Sequence, residues 1–425
     1  MNKINQFMTK IMHLLRSDFI LVLIANLFSY ALTFCGSVVY VRLLGKTEFG
    51  IYSFAFGIIS LFLLVNGFGA ASGVLQYVSR SPSIEQQNSY LRFAFACGSG
   101  FNLLIGGLIV IYAWLVPLPI ATAKPILMTM ALFPIGRLYI DIFQAYLRAK
   151  QLNYLQAKFL IINNSVLLLV NILGIYCFHL YGLIFFTYLG YGLMLAYSNY
   201  KLSLPKAWGK INYNLIKIKE FISYSFFTTL ANAFSGLLFV LDTIIIAYVI
   251  KDAQLLASYK VATLIPFAIN FIPNIVVNYY YPQFAKAATN PQQIRYLARI
   301  VSMRLFIFSA IISIALVLIA TPLIKLLFGA QYHDSVLPFQ IISGGYWIIA
   351  SFRSVNGNIL AALGKAKLSF YLTTIILMLN IGLTYLFVIH YSIVGAACAV
   401  VLMYAFSSLI GYCSLKLVLR NLERN

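Results

Sequence analysis

Long apolar runs, separated by short polar stretches, follow one another along the whole chain. A helix needs roughly 20 apolar residues to cross the hydrocarbon core of a bilayer, and each run reaches about that length. The runs do not alternate apolar and polar residues, as the strands of a membrane barrel would. The pattern therefore predicts an all-α polytopic membrane protein with twelve transmembrane helices. The predicted spans are residues 19–41, 49–78, 91–115, 120–147, 158–178, 181–200, 221–249, 254–282, 300–323, 335–361, 368–389 and 393–415.

Two short motifs recur about half a chain length apart. Residues 26–29 (Asn-Leu-Phe-Ser) are matched 206 positions later by Asn-Ala-Phe-Ser, and residues 52–55 (Tyr-Ser-Phe-Ala) are matched 207 positions later by Tyr-Lys-Val-Ala. Each copy opens a set of six apolar runs, and an even number gives both copies the same orientation. The duplication predicts two six-helix lobes related by a pseudo-twofold axis along the membrane normal.

The predicted lobes meet in the polar stretch around residues 201–220. The N-lobe is expected to cover 1–205, with an amphipathic interfacial helix over 1–17 before its six spans. The C-lobe is expected to cover 206–425 and to begin with a cytoplasmic linker. The connections are short, so no separate catalytic domain is expected outside the membrane.

Composition and charge agree with this assignment. The chain is 62% hydrophobic and only 9% charged, with a mean hydropathy of +0.90 and a net charge of +21. With the N-terminus in the cytoplasm, 21 of the 30 Lys and Arg residues fall on the cytoplasmic side and five on the other. This bias predicts that both termini are cytoplasmic. It also assigns the positive charge to anionic membrane lipid rather than to nucleic acid.

Known catalytic and cofactor motifs are missing from the sequence. The five cysteines lie in apolar spans without paired or metal-type spacing, and the four histidines are isolated. Residues 45–47 (Gly-Lys-Thr) resemble the end of a P-loop, but position 40 is tyrosine where that motif needs glycine, and no strand precedes it. We therefore predict no catalytic residue, cofactor, metal or ATP.

Polar residues inside three spans recur at helical spacing. They form one stripe on each of spans 1, 7 and 8, and Pro266 and Pro273 are expected to kink span 8. Two interpretations stay open: hydrogen bonds between helices, or a water-accessible cavity, which the nearby charges favour. The stripe residues are Asn26, Ser29, Thr33, Ser37 and Tyr40; Ser225, Thr228, Asn232, Ser235 and Asp242; and Lys260, Thr263, Asn274 and Asn278.

Charged residues within the spans are the sharper signal, because each costs ~3 kcal/mol or more at the bilayer centre unless it has a partner or a cavity. Asp242 is the acid of span 7, and its counterpart in the first repeat is Gly36. Arg137 and Asp141 are spaced i, i+4 on span 4, where a self-neutralised structural pair is an equally good interpretation. Arg353 on span 10 aligns within one position of Arg137 between the repeats.

Several segments resemble one transporter family in order along the chain. Residues 40–52 (Tyr-Val-Arg-Leu-Leu-Gly-Lys-Thr-Glu-Phe-Gly-Ile-Tyr) and the run to Arg80 resemble the Wzx-type polysaccharide flippases. These belong to the multidrug/oligosaccharidyl-lipid/polysaccharide exporter superfamily. Further agreement lies at Asp242, residues 259–266, Tyr281-Pro282, residues 327–332 and residues 360–365.

This resemblance implies an activity and its partners. The implied activity is transfer of an undecaprenyl-diphosphate-linked oligosaccharide, such as an O-antigen unit of lipopolysaccharide, across the bacterial inner membrane by alternating access. The implied partners include a polysaccharide polymerase and chain-length machinery. Arg42, before Leu43-Leu44-Gly45, and Lys260, before Pro266, fall where related lipid II flippases carry cavity arginines. Lysine lacks the bidentate fork of arginine, so Lys260 would hold a diphosphate less tightly.

The resulting hypothesis assigns a role to each polar residue. Asp242 is the candidate proton- or cation-linked switch, and Arg137 with Asp141 forms a second polar cluster. The candidate substrate-binding residues are Arg42, Lys260, Arg353, Asn26, Ser29, Asn232 and Asn274.

Two alternatives remain. A cation-coupled drug exporter of the same fold should have an acid-rich cavity, whereas these charges are mostly basic. A membrane glycan polymerase or ligase, which is an enzyme, should have a long outer loop.

Overall fold

The computed structural model describes residues 18–200, 209–288 and 290–424. Within these ranges the chain is helical, and no β-strand occurs. The predicted interfacial helix over 1–17 and the predicted lobe boundary at 205/206 lie outside the described residues.

The helices follow one another with short connections. Short 3₁₀ turns occupy Asn66–Gly69, Tyr213–Leu215 and Ala330–Ser335, and a π-helical turn occupies Ile349–Arg353. The α-helices are α1 (Asp18–Leu63), α2 (Ala70–Arg80), α3 (Ile84–Leu115), α4 (Ala123–Thr129), α5 (Phe133–Ala149), α6 (Asn153–Tyr200), α7 (Ile218–Ile250), α8 (Ala253–Ile269), α9 (Phe271–Lys286), α10 (Pro291–Leu318), α11 (Ala320–Phe328), α12 (Val336–Ile348), α13 (Ser354–Ala362) and α14 (Ala366–Arg424).

The predicted membrane spans are present as helices. Among the described residues, seven helical segments are long and apolar enough to cross a membrane, and the α4–α5 pair, bent by 43°, makes an eighth. Three of the segments contain two predicted spans each, divided at Gly45 in α1, at Phe178 and His179 in α6, and at Ser392 in α14. With α7 included, these helices account for the twelve predicted spans, and the all-α polytopic membrane fold is confirmed.

The internal duplication is also visible in the backbone. Residues with positive φ recur at matching positions: Gly45 (φ 73°) and Lys251 (φ 58°) are 206 positions apart, the offset of the sequence motifs. His179 (φ 51°, ψ −131°) and Ser392 (φ 52°, ψ −137°) share one rare conformation at an offset of 213. Non-glycine residues seldom adopt positive φ, so a repeated occurrence reflects repeated structure.

Glycines allow the two helical hairpins within α6 and α14 to close tightly. A Cβ atom placed on Gly182 would lie 1.8 Å from the carbonyl oxygen of Gly174, and one on Gly395 would lie 1.9 Å from the carbonyl oxygen of Phe387. Both glycines are three residues beyond the positive-φ residue, His179 or Ser392. The close backbone contact therefore has the same origin in both hairpins.

The chain packs into two units. Unit 1 comprises the described residues of 1–44 and 58–233, and unit 2 comprises the described residues of 45–57 and 234–425. The segment Gly45–Gly57 packs with unit 2 because Gly50 abuts the Ala253 carbonyl and Phe54 packs on Tyr248. The boundary at 205/206, predicted from the polar linker, stays a prediction.

Candidate functional site

Unit 2 brings charged and polar side chains together among apolar helices. Asp242 lies on α7, Lys260 on α8 and Arg353 at the end of the π-helical turn. The long helix α14 contributes Tyr404, and it contributes Asn380 and Thr384 from the part before the Ser392 kink. We call Asp242, Lys260, Arg353, Asn380, Thr384 and Tyr404 the Asp242 cluster.

The Asp242 carboxylate is held by neutral donors. Its side chain is only 7% exposed, and the Thr384 hydroxyl donates a hydrogen bond to Oδ1 at 3.3 Å. Asn380, one turn before Thr384 on the same face of α14, is a second hydrogen-bond partner. Lys260 acts on the carboxylate electrostatically, although no direct ion pair joins these two described residues. A buried carboxylate without a direct ion pair is suited to binding a proton or a cation.

Arg353 reaches the same cluster through Tyr404. The guanidinium is half-buried and interacts electrostatically with Tyr404, which also interacts with Asp242. Tyr404 is fixed in a small apolar core with Tyr346, Ile349 and Val400. The π-helical turn that ends at Arg353 is a feature often found at functional sites. The cluster thus contains two cations and one acid, a net positive charge.

A proline in α9 leaves a backbone carbonyl without its helical hydrogen bond, and a tyrosine side chain takes the place of the missing donor. Pro273 has no N–H, so the carbonyl of Ile269, four residues earlier, lacks its helical hydrogen bond. The Tyr346 hydroxyl donates to that carbonyl at 3.1 Å, which fastens α12 to the break between α8 and α9. Span 8 is therefore interrupted near Pro273, with α8 ending at Ile269 and α9 beginning at Phe271, whereas α8 continues through Pro266, the other proline expected to kink it.

A second polar cluster occupies unit 1. Arg137 Nε lies 3.0 Å from Asp141 Oδ1, so the i, i+4 pair forms as its spacing predicts. Asn66 donates to Asp141 at 3.2 Å, and Asn102 donates to Asn66 at 2.7 Å. Arg137 remains half exposed, with 51% of its side-chain surface accessible. The cluster joins α3, α5 and the turn after α1.

Asn102 also stabilises a turn that interrupts span 2, which was expected to be one helix over 49–78. The helix stops at Leu63, and a turn with positive φ at Gly67, Phe68 and Gly69 precedes α2. The Gly67 amide donates to Asn102 Oδ1 at 2.8 Å, and Asn102 is fully buried. The expectation of one helix is wrong here because glycines and a buried amide stabilise a tight turn.

Several polar side chains of the stripes donate hydrogen bonds to backbone carbonyls of their own helices. Asn26 donates to the Val22 carbonyl and Asn274 to the Asn270 carbonyl, each four residues earlier. The same pattern holds for the hydroxyls of Thr33, Ser37 and Thr228. These bonds use the donors locally. Interhelical hydrogen bonds, which were one interpretation, are made by two other stripe residues: Tyr40 accepts from Asn171 of α6 at 3.1 Å, and Asp242 accepts from Thr384 of α14.

The remaining predicted site residues are not among the members of the two clusters. Arg42 is exposed near the end of the unit 1 part of α1, and Asn232 is exposed on α7. Ser29 is buried, and its hydroxyl finds no hydrogen-bond partner among the described residues. Of the ten predicted positions, the structure groups Asp242, Lys260 and Arg353 in unit 2, and it pairs Arg137 with Asp141 in unit 1.

Five cluster members were missed in the sequence: Asn380, Thr384, Tyr404, Asn66 and Asn102. Asn380 and Thr384 are spaced i, i+4 within span 11, the same signal that identified the stripes on spans 1, 7 and 8. Asn66 and Asn102 are single neutral amides, and nothing in the local sequence distinguishes them from other polar residues. Only tertiary packing reveals their role.

Solved structures with this fold are membrane transporters. The lipid II flippase MurJ in an inward closed conformation has a TM-score of 0.76 at 18% identity, with 93% of this chain and 87% of that chain covered. An inward-facing multidrug resistance MATE family transporter of the MOP superfamily has a TM-score of 0.73 at 11% identity, covering 94% and 96%. A MOP superfamily transporter from Pyrococcus furiosus, whose binding pocket is described as having reverse polarity, has a TM-score of 0.66 at 12% identity, covering 96% of each chain.

At these identities the likeness establishes the fold alone. Comparison with curated protein sequences gives no significant match. A family model described as "polysaccharide biosynthesis protein" matches residues 39–337, which is more than half of the chain and includes Asp242 and Lys260. This chain therefore belongs to the polysaccharide biosynthesis protein family.

Proposed function

We propose that this protein is a flippase that carries a polyprenyl-diphosphate-linked oligosaccharide across a membrane. The observation that carries the proposal is the net positive Asp242 cluster, buried among apolar helices of a polysaccharide biosynthesis family member. The fold shared with the lipid II flippase MurJ supports a lipid-linked substrate. The finer expectation is an O-antigen or related surface-polysaccharide unit in the bacterial inner membrane, with both termini cytoplasmic.

The chemistry of such a substrate explains why cations are needed. A diphosphate loses its hydration when it leaves water, and a glycan in hydrocarbon would leave many hydroxyl groups without hydrogen bonds. Cationic and polar side chains can replace that water while the polyprenyl chain stays in lipid. We assign diphosphate or sugar-acid contacts to Arg42, Lys260 and Arg353, with weaker polar contacts from Asn26, Ser29, Asn232 and Asn274.

Asp242 is proposed to couple transport to a proton or cation. When the carboxylate is charged, it partly balances Lys260. Binding of a proton or cation would remove that balance and leave Lys260, together with Arg353 beyond Tyr404, to attract an anion. Differential affinity of this kind is what alternating access requires, with Arg137 and Asp141 as a second polar cluster in unit 1.

The test is export of surface polysaccharide in cells that depend on this protein. Arg42→Ala and Asp242→Ala should each reduce export at unchanged protein level, and lipid-linked precursor should accumulate on the cytoplasmic side. Lys124→Ala, a half-buried cation outside both clusters, is the matched control and should export normally. Normal export by both Arg42→Ala and Asp242→Ala would contradict the site assignment.

The location of the accumulated glycan separates this proposal from a polymerase. A polymerase defect leaves single repeat units on the outer face, whereas a flippase defect leaves them inside. Resistance to cationic dyes on expression, without any effect on polysaccharide, would favour a drug exporter instead.

A further inference from the structure

A groove in unit 2 carries charged and polar residues that the transport proposal does not use. It lies between the first half of α10, the last turns of α14 and the residues around the start of α13, and it encloses about 580 Å³. We call it the α10–α14 groove. Residues at its basic end are Arg295, Arg299 and Lys416, and residues at its apolar end include Met303, Phe306 and Tyr412.

The basic end has more positive than negative charge. Arg295 forms a two-pronged ion pair with Glu423, at 2.6 and 2.9 Å. Arg299 and Lys416 are exposed, and within the described ranges no ion pair links either one to an acid. Two cations are therefore available to an anion at the mouth of the groove.

A buried amide in the groove also lacks a partner. Asn356 is 5% exposed and lines the groove, and its Nδ2 group finds no acceptor among the described residues. Gly411 of α14 faces this amide, and a Cβ atom at that position would be in ordinary van der Waals contact with it, 3.9 Å from Nδ2. An unpaired buried donor costs about 1–3 kcal/mol, so a ligand oxygen here would be stabilising.

The opposite end of the groove is apolar and faces away from the protein core. Met303 is 51% exposed and Tyr412 is 56% exposed, as expected for side chains in contact with lipid. The Phe306 ring packs on Phe352 and Trp347, with centroid distances of 6.3 Å and 5.2 Å respectively, so this side of the groove is aromatic. From one end to the other, the groove therefore changes from cationic to aromatic.

We infer that the α10–α14 groove binds a glycerophospholipid with an anionic headgroup. Arg299 and Lys416 contact the phosphate, the Asn356 amide donates to an acyl-ester oxygen, and an acyl chain lies along Phe306 and Tyr412. Basic pockets between membrane helices recognise anionic lipids in this way. A polyprenyl diphosphate fits less well, because below its phosphates it has no acyl-ester oxygen to accept from Asn356. The inference does not depend on the transport proposal.

The test is native mass spectrometry of the purified full-length protein with phosphatidylglycerol or phosphatidylcholine carrying the same acyl chains. Wild type should bind phosphatidylglycerol more tightly. Arg299→Gln/Lys416→Gln should weaken that binding about 10–30-fold, because each basic residue near anionic lipid contributes about fivefold to the affinity. Lys286→Gln/Lys367→Gln removes two exposed cations of unit 2 outside the groove and should leave it unchanged.

A second variant tests the groove without changing its charge. Asn356→Leu is nearly isosteric and should weaken phosphatidylglycerol binding about 2–10-fold, as expected for a hydrogen bond to an uncharged ester oxygen. Gel filtration confirms that each variant is folded. The inference is overturned if wild type shows no preference for phosphatidylglycerol or if both double variants lose binding equally. It is also overturned if polyprenyl diphosphate occupies the groove and phosphatidylglycerol does not displace it.

Discussion

Replacement of Asn102 by leucine is the most informative test of how unit 1 is held together. Asn102 is fully buried and makes three hydrogen bonds. It donates to Asn66 and to the Pro134 carbonyl, each at 2.7 Å, and it accepts from the Gly67 amide at 2.8 Å. Leucine has a similar volume, so Asn102→Leu removes the bonds without creating a large cavity.

The expected decrease in the free energy of unfolding follows from these contacts. The Gly67 amide would be left buried without an acceptor, at about 1–3 kcal/mol. The two donated bonds would add about 0.6 kcal/mol each, the average for side-chain hydrogen bonds between membrane helices. The free energy of unfolding should therefore fall by about 2–4 kcal/mol. For a unit of this size that corresponds to a decrease in Tm of about 5–15 °C.

The assay is thermal unfolding of the purified protein in detergent, followed by tryptophan fluorescence or by loss of the monodisperse gel-filtration peak. Asn358→Leu is the matched control, because Asn358 is half-buried and, among the described residues, donates only to the Ser354 carbonyl of its own helix. Its Tm should change by no more than ~2 °C. Equal decreases for the two variants would refute the argument that Asn102 stabilises the turn after α1.

Three further substitutions test other parts of the structure. Gly182→Ala should destabilise the α6 hairpin and lower the yield of folded protein in gel filtration, whereas Gly192→Ala should not, because nothing lies within 4 Å of a Cβ atom there. Thr384→Val should reduce transport severalfold, since it removes a donor to Asp242, while Thr374→Val, exposed and bonded to its own helix, should transport normally. Lys260→Met should abolish transport of a diphosphate lipid, as measured by precursor accumulation. Lys260→Arg should retain or increase transport, because arginine keeps the charge and can donate two parallel hydrogen bonds to a phosphate. Equal loss in both variants would argue against a contact with diphosphate.

Much of the fold follows from the sequence because a membrane imposes simple rules. Apolar runs must be helical in hydrocarbon, so the predicted spans appear as helices, with breaks at Gly45, His179 and Ser392 where polar connections were expected. Charge inside a span needs a partner or a cavity. That rule points to Asp242 and Arg353, whereas Lys260 is indicated by the polar stripe on span 8 and by the family resemblance. The structure brings these three residues into one cluster.

Other features depend on tertiary contacts that no local pattern contains. The break at residues 64–69 interrupts an apolar run, and it depends on a bond to Asn102, 35 positions away from Gly67. The stripe on span 1 has the spacing of an interhelical polar face, yet Asn26 bonds to its own helix. Spacing shows which residues share a face, but it does not show where their donors are used.

The central claim is that this protein moves a lipid-linked oligosaccharide between leaflets, and flipping in proteoliposomes tests it most directly. The purified chain is reconstituted with a fluorescent polyprenyl-diphosphate oligosaccharide, and an impermeant quencher is added outside. With wild-type protein, label that began in the inner leaflet should become quenched with time. With Asp242→Ala or with protein-free vesicles, it should stay protected. Equal protection in all three preparations, with the protein folded and a proton or sodium gradient applied, would contradict the account.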